Sequence, residues 1–186
     1  MKVKSILLVF AALAGALQAQ PKGAPATVLG DLKNSYQEIK DLIMRAAEQM
    51  PESTYSYKPV PEEMSFGGWV AHVADAQGFI CGAAAGGAKQ LGAASKTAKA
   101  DLLAVLKQSF DLCDGAYQAT TDANVNESIQ SFRGPTPRLA LLYGNISHDN
   151  ECYGSMAVYM RLNKLVPPSS QGRGGGGKGG DKGKGK

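Results

Sequence analysis

This sequence is poor in strand pattern and in histidine. No stretch alternates apolar and polar residues over strand length, which argues against a sheet-built domain and leaves helices to form the core. No internal repeat is visible, which excludes a solenoid. The chain has two histidines, His72 and His148, so an all-histidine metal triad cannot form. Long apolar runs are missing as well. The run over 6–17 is about a dozen residues, well short of the ~20 needed to span a bilayer. No cysteine follows it directly, so there is no lipid-attachment signal.

That short run still has a reading. Lys2 and Lys4 precede it, and small residues close it at 16–19. This is the layout of a secretory signal peptide over 1–19, cleaved after Ala19. The expected mature protein is exported, periplasmic or extracellular, with no membrane span once the leader is removed. An uncleaved anchor is the alternative.

The net charge of +4 is misleading. Residues 169–186 read SSQGRGGGGKGGDKGKGK and carry +4, from Arg173, Lys178, Lys182, Lys184 and Lys186 against Asp181; the leader adds +2. Residues 20–168 therefore carry −2. Basicity belongs to the ends, so specific nucleic-acid binding is not expected of the domain. The Gly/Lys stretch cannot bury an apolar core and is expected to be a disordered tail. Between the ends lie about 150 residues, the length of one domain with one core.

Four helices are predicted. Over 28–50, Val28, Leu32, Tyr36, Ile39, Ile43 and Ala46 mark one face, and Pro51 ends the helix. A connector, PESTYSYKPVPEEMS, holds three prolines and two tyrosines and should be extended rather than regular. Ser65 is a fitting N-cap for a second helix to about residue 85, with Trp69, His72, Ala76, Phe79 or Ile80, and Ala83 on its inward stripe. The third runs over about 97–120, with Leu102, Val105, Leu106, Phe110, Cys113 and Tyr117 inward. A polar stretch follows. The fourth begins near Pro137 and ends before Pro167 and Pro168, with Leu141, Asn145, His148, Cys152, Met156 and Tyr159 inward. Four amphipathic helices in this length read as an all-α, four-helix bundle.

His148 and Cys152 sit one turn apart in HDNEC, so they share a helix face. His72, from the second helix, can supply a third ligand. Nitrogen and sulfur donors suit zinc, and three protein ligands leave an open position, as catalytic sites do. The alternative is a pair of core histidines and a buried thiol acting as a small apolar residue. Asp75 and Glu151 each follow a histidine by three residues and are candidates to orient it or act as base; both also read as solvated surface carboxylates. Tyr153 and Tyr159 are candidates for the site mouth, with Tyr159 also fitting the core, and Trp69 reads as packing. In an oxidising compartment Cys81 and Cys113 are expected to pair, leaving Cys152 as the odd thiol; three buried reduced thiols are the alternative.

Two stretches sharpen this. YSYKPVPEEMSFGGWVAHVADAQ resembles the tyrosine-proline connector and histidine-bearing second helix of the DinB/YfiT-like superfamily. HDNECYGSMAVYMRLNKLVPPSS resembles that family's closing helix, with Arg161, Pro167 and Pro168 fitting its end. The resemblance covers about 27–168. It implies an up-down-down-up four-helix bundle and a divalent metal, zinc foremost, on His72, His148 and Cys152. The cysteine is a departure, since the family pattern has histidine there, and it leaves open a working site, a weak one or a lost one. The implied activities are metal-dependent hydrolysis of a small molecule or metal-dependent thiol transfer. A non-catalytic binding or stress-associated bundle with a degenerate site is the other reading. A homodimer is left open.

Overall fold

The computed structural model describes residues 27–172. The leader at 1–19 and the Gly/Lys stretch from 173 onward lie outside the described residues. Four helices make up most of the fold: α1 (Val28–Gln49), α2 (Phe66–Ala84), α3 (Lys99–Ala119) and α4 (Arg138–Leu162). No helix among the described residues is long and apolar enough to cross a membrane.

α1 and α2 begin at side-chain caps. Thr27 Oγ1 accepts from Gly30 N at the start of α1, and Ser65 Oγ accepts from Gly68 N at the start of α2. These side chains satisfy amides that have no partner inside the helix. Pro51 prevents α1 from continuing. The buried face of α1 is Leu32, Tyr36, Ile39, Ile43 and Ala46, as its periodicity predicts, whereas Val28, expected on that face, is exposed in the first turn. Around the bundle the helices neighbour one another in the ring order α1–α3–α2–α4.

α2 is buried on most of its circumference, and this corrects one expectation. Its core face is Phe66, Val70, Val73, Ala74, Gln77 and Cys81. The predicted inward stripe is split: Ile80 and Ala83 are buried, whereas Trp69 and Ala76 are half-buried and His72 and Phe79 (42% exposed) lie along a groove at the surface. Nearly every position on this helix is small or apolar, so periodicity could not choose between its two faces. On another side, glycine admits the chain that follows. A Cβ on Gly78 would sit 2.6 Å from the Lys89 carbonyl oxygen, and one on Gly82 would sit 2.8 Å from Lys89 N.

The polar stretch before α4 contains the one feature that no strand pattern announced. β1 (Ser128–Ser131) and β2 (Gly134–Pro137) form an antiparallel hairpin, with Ser128 opposite Pro137 and Ser131 opposite Gly134. Phe132 and Arg133 occupy its tip, and Gly134 takes the left-handed conformation (φ 84°) that closes the turn. Two prolines in β2 mask it as a strand, yet a two-stranded edge needs few backbone donors. Arg138 ties the hairpin down through Glu127 (3.1 Å) and the carbonyl of Ala84 at the end of α2.

The chain also stays docked past residue 168, where the tail was expected to begin. Ser169 N donates to Tyr153 Oη (2.8 Å), and Arg45 donates to Gln171 Oε1 (2.7 Å). Cys81 of α2 and Cys113 of α3 are joined by a disulfide, and Cys152 is the free thiol.

Candidate metal centre

The three expected ligands converge. His72 comes from α2, and His148 and Cys152 come from successive turns of α4. His72 Nε2 lies 3.0 Å from His148 Nε2, and Cys152 Sγ lies 3.6 Å from His148 Nε2. One donor atom from each residue falls within 4.8 Å of the other two. Tetrahedral zinc with ordinary bond lengths sets its donors about 3.3 Å apart for two nitrogens and about 3.6 Å for nitrogen and sulfur. The donor types and spacings therefore fit a divalent ion. Burial is graded: Cys152 is buried, the His148 side chain is 25% exposed and His72 is exposed. The open side of the triad faces outward, as a site that admits a fourth ligand requires.

The sequence reading missed the residue that supports His148. Asp149 is fully buried. Its Oδ2 accepts from Gln77 Nε2 (3.0 Å) and Asn145 Nδ2 (3.1 Å), and Ser109 Oγ in turn donates to Gln77 Oε1 (2.7 Å). Its Oδ1 has no hydrogen-bond partner and lies 3.7 Å from His148 Nδ1. At that distance the contact is electrostatic, and a small side-chain rotation turns it into a hydrogen bond. With Nδ1–H directed at Asp149, His148 turns Nε2 toward His72 and Cys152, which is the tautomer a metal ligand needs. Burial pushes the Asp149 carboxyl up, opposed by His148 and the two amide donors. The Asp149 carboxylate and the Cys152 sulfur raise His148 to about 10, while burial and the nearby His148 lower His72. A signal was available: Asp149 falls four residues after Asn145 and three before Cys152, on the same face.

A prediction follows from this support. Asp149→Asn keeps the shape but gives Nδ1–H a weaker acceptor, so metal affinity should fall roughly 10- to 100-fold. Competition with a chelator of known affinity measures this. Unchanged affinity would assign Asp149 to packing alone.

The other candidates separate. Asp75 does not orient His72; its two oxygens accept from Ala93 N and Ala94 N, both at 2.9 Å, and pin the turn at Ala93–Ser95. Tyr153 and Tyr159 do not reach the mouth. The Tyr153 hydroxyl serves Ser169, and the Tyr159 hydroxyl donates to Met64 O (2.6 Å). Trp69 packs edge-on against His72 at 5.9 Å, in line with its expected packing role. Glu151 is exposed, and its charge raises the proton affinity of His72.

Residues 35–154 match the DinB superfamily. The chain belongs to that superfamily. Its fold is shared with a DinB-like protein from Bacillus cereus (TM-score 0.65, 20% identity, covering 76% of this chain and 96% of the other). A DinB-like protein from Bacillus subtilis gives a TM-score of 0.60 at 20% identity, covering 73% and 93%. No curated protein matches the sequence. In this DinB superfamily member the triad stands at the head of a groove between α2 and α4. A depression of about 460 Å³ is lined by His72, Ala76, Phe79, Ile80, Phe132 and His148. A smaller one, about 130 Å³, continues past Ile80 and His148 to Gly144, Thr136 and Arg133. Another depression, about 440 Å³, meets the triad only through His72.

Proposed function

We propose that this protein is an exported metal-dependent hydrolase acting on a small molecule. The observation that carries the reading is a nitrogen–nitrogen–sulfur triad, open on one side, at the head of an apolar groove. Export is supported by the leader-like residues 1–19 and by the Cys81–Cys113 disulfide, a bond that persists in oxidising compartments. Hydrolysis is favoured over thiol transfer because a small thiol cosubstrate is scarce outside the cytoplasm.

His72 and His148 offer Nε2 and Cys152 offers a thiolate, whose polarisable sulfur makes the triad softer than three imidazoles. A divalent ion held there supplies Lewis-acid activation of water or of a carbonyl. Asp149 keeps the proton on His148 Nδ1. The Phe79 and Phe132 rings shelter one side of the reacting centre from solvent. Glu151, one turn beyond His148 and free of the loop-anchoring duty that occupies Asp75, is the proton acceptor in this proposal.

The test compares zinc-loaded and chelator-treated protein on 4-nitrophenyl esters and anilides. Turnover should require metal, vanish in His72→Ala, and fall ~100-fold in Glu151→Gln with metal retained. Near-stoichiometric metal without turnover on any substrate would favour the non-catalytic binding reading instead.

A further inference from the structure

The groove has a chemistry of its own beyond the triad. Its two helical walls are set by small residues. On α4, Gly144 and Ala140 lie one and two turns before His148; on α2, Ala76 lies one turn after His72. A Cβ added at Gly144 would meet nothing within 4 Å, so the space before it is open. From His148 to Ala140 the axial distance is roughly 12 Å, at about 1.5 Å per helical residue. The outer walls are aromatic: Phe79 is 42% and Phe132 is 66% exposed, large rings left partly open to solvent.

The far end carries a positive charge. Arg133 lines the narrow part of the groove, and its guanidinium stands over the Phe132 ring at 5.2 Å. Among the described residues no carboxylate pairs with it. Its neighbour Arg138 shows the contrast, being engaged by Glu127 and the Ala84 carbonyl. Arg138 is occupied in holding the hairpin, whereas Arg133 is free to meet a ligand. A planar cation backed by an aromatic face is suited to a carboxylate.

We propose that the groove binds amphipathic acids: molecules with an apolar body, aliphatic or aromatic, seated between Phe79 and Phe132 over Gly144, and a carboxylate held by Arg133. The acid group sits at the hairpin end, which leaves the opposite end of the ligand at His72 and His148. Identifying that opposite end as the reacting one rests on the hydrolase reading; binding in the groove does not.

The test uses decanoate and decan-1-ol, equal in chain length and different in head group. Binding is followed by calorimetry and by the fluorescence of Trp69, the only tryptophan, which contacts His72. Zinc-loaded and chelator-treated protein are measured in parallel. Decanoate should bind at least tenfold tighter than decan-1-ol in both forms. Arg133→Gln should abolish that preference while leaving decan-1-ol unchanged, and Arg133→Lys should keep part of it. Gly144→Ile, which fills the open space, should weaken both ligands at least tenfold. A decanoate preference that survives Arg133→Gln overturns the proposal, as does equal binding of both ligands to the parent protein. Metal content, measured on the same samples, tells the two failures apart. A protein without zinc that still shows Arg133-dependent decanoate binding sinks the hydrolase reading alone. A zinc-replete protein indifferent to the head group sinks the groove reading alone.

Discussion

Purified without chelator or histidine tag, the protein should carry close to one divalent ion per chain, and His148→Ala or Cys152→Ala should carry almost none. Three ligands are the minimum protein set for a tight zinc site with an open position, so removing one leaves two donors and a loss of several orders of magnitude in affinity. His148 is the most sensitive position because it is the shared neighbour: its Nε2 is 3.0 Å from His72 and 3.6 Å from Cys152. Binding also has a pH signature. The ion must displace a proton from His148, which Asp149 and Cys152 hold up to about 10, and needs the thiolate of Cys152. Affinity should therefore rise with pH and be weakest in acid, with protons released on binding. Elemental analysis of parent and variants decides the matter. A parent free of metal, with variants that behave like it, would make HDNEC a relic on a core helix.

The second large effect concerns stability. The Cys81→Ala, Cys113→Ala double variant should lose about 3–4 kcal/mol, from the chain entropy a disulfide removes from the unfolded state at this spacing. The two cysteines are 32 residues apart, fully buried, and join α2 to α3. For a domain of this size the loss corresponds to a melting temperature lower by roughly 10 °C. The metal site should survive, because neither sulfur belongs to the triad, although Cys81 Sγ lies 3.6 Å from Asn145 Oδ1 and so borders the polar cluster around Asp149. Thermal melts followed by circular dichroism, with zinc content alongside, test both halves. A melting temperature equal to the parent's would show that the bond contributes nothing to folding.

The two effects act on different parts of one structure. The disulfide fastens the core side of α2, and the triad uses its groove side. α2 serves both because it is small and apolar on nearly every face. This division locates the groove at the surface while keeping Asp149, Gln77 and Asn145 dry beneath it. Low local dielectric strengthens the hold of that carboxylate on His148.

Much was written in the sequence alone: four helices, most of their ends, the three residues that converge as candidate ligands, and the cysteine pair. The helices and their ends depend on local periodicity and on Ser65, Pro51, Pro167 and Pro168, which act within a few residues along the chain; the trio and the pair stood out because the chain has two histidines and three cysteines. Family membership, too, was legible in the two motif stretches. Tertiary structure decided the rest. Which face of α2 turns inward depended on what α3 and α4 could bury against it, and periodicity was silent on a helix apolar all round. Asp149 read as one more polar residue until packing enclosed it and left Oδ1 facing His148. The hairpin at 128–137 has too few apolar residues to announce itself and exists because Arg138 and the end of α2 hold it. Arg133 acquires its place at the end of the groove only through that hairpin, which is held by the contact of Arg138 with Ala84, 54 residues apart in sequence.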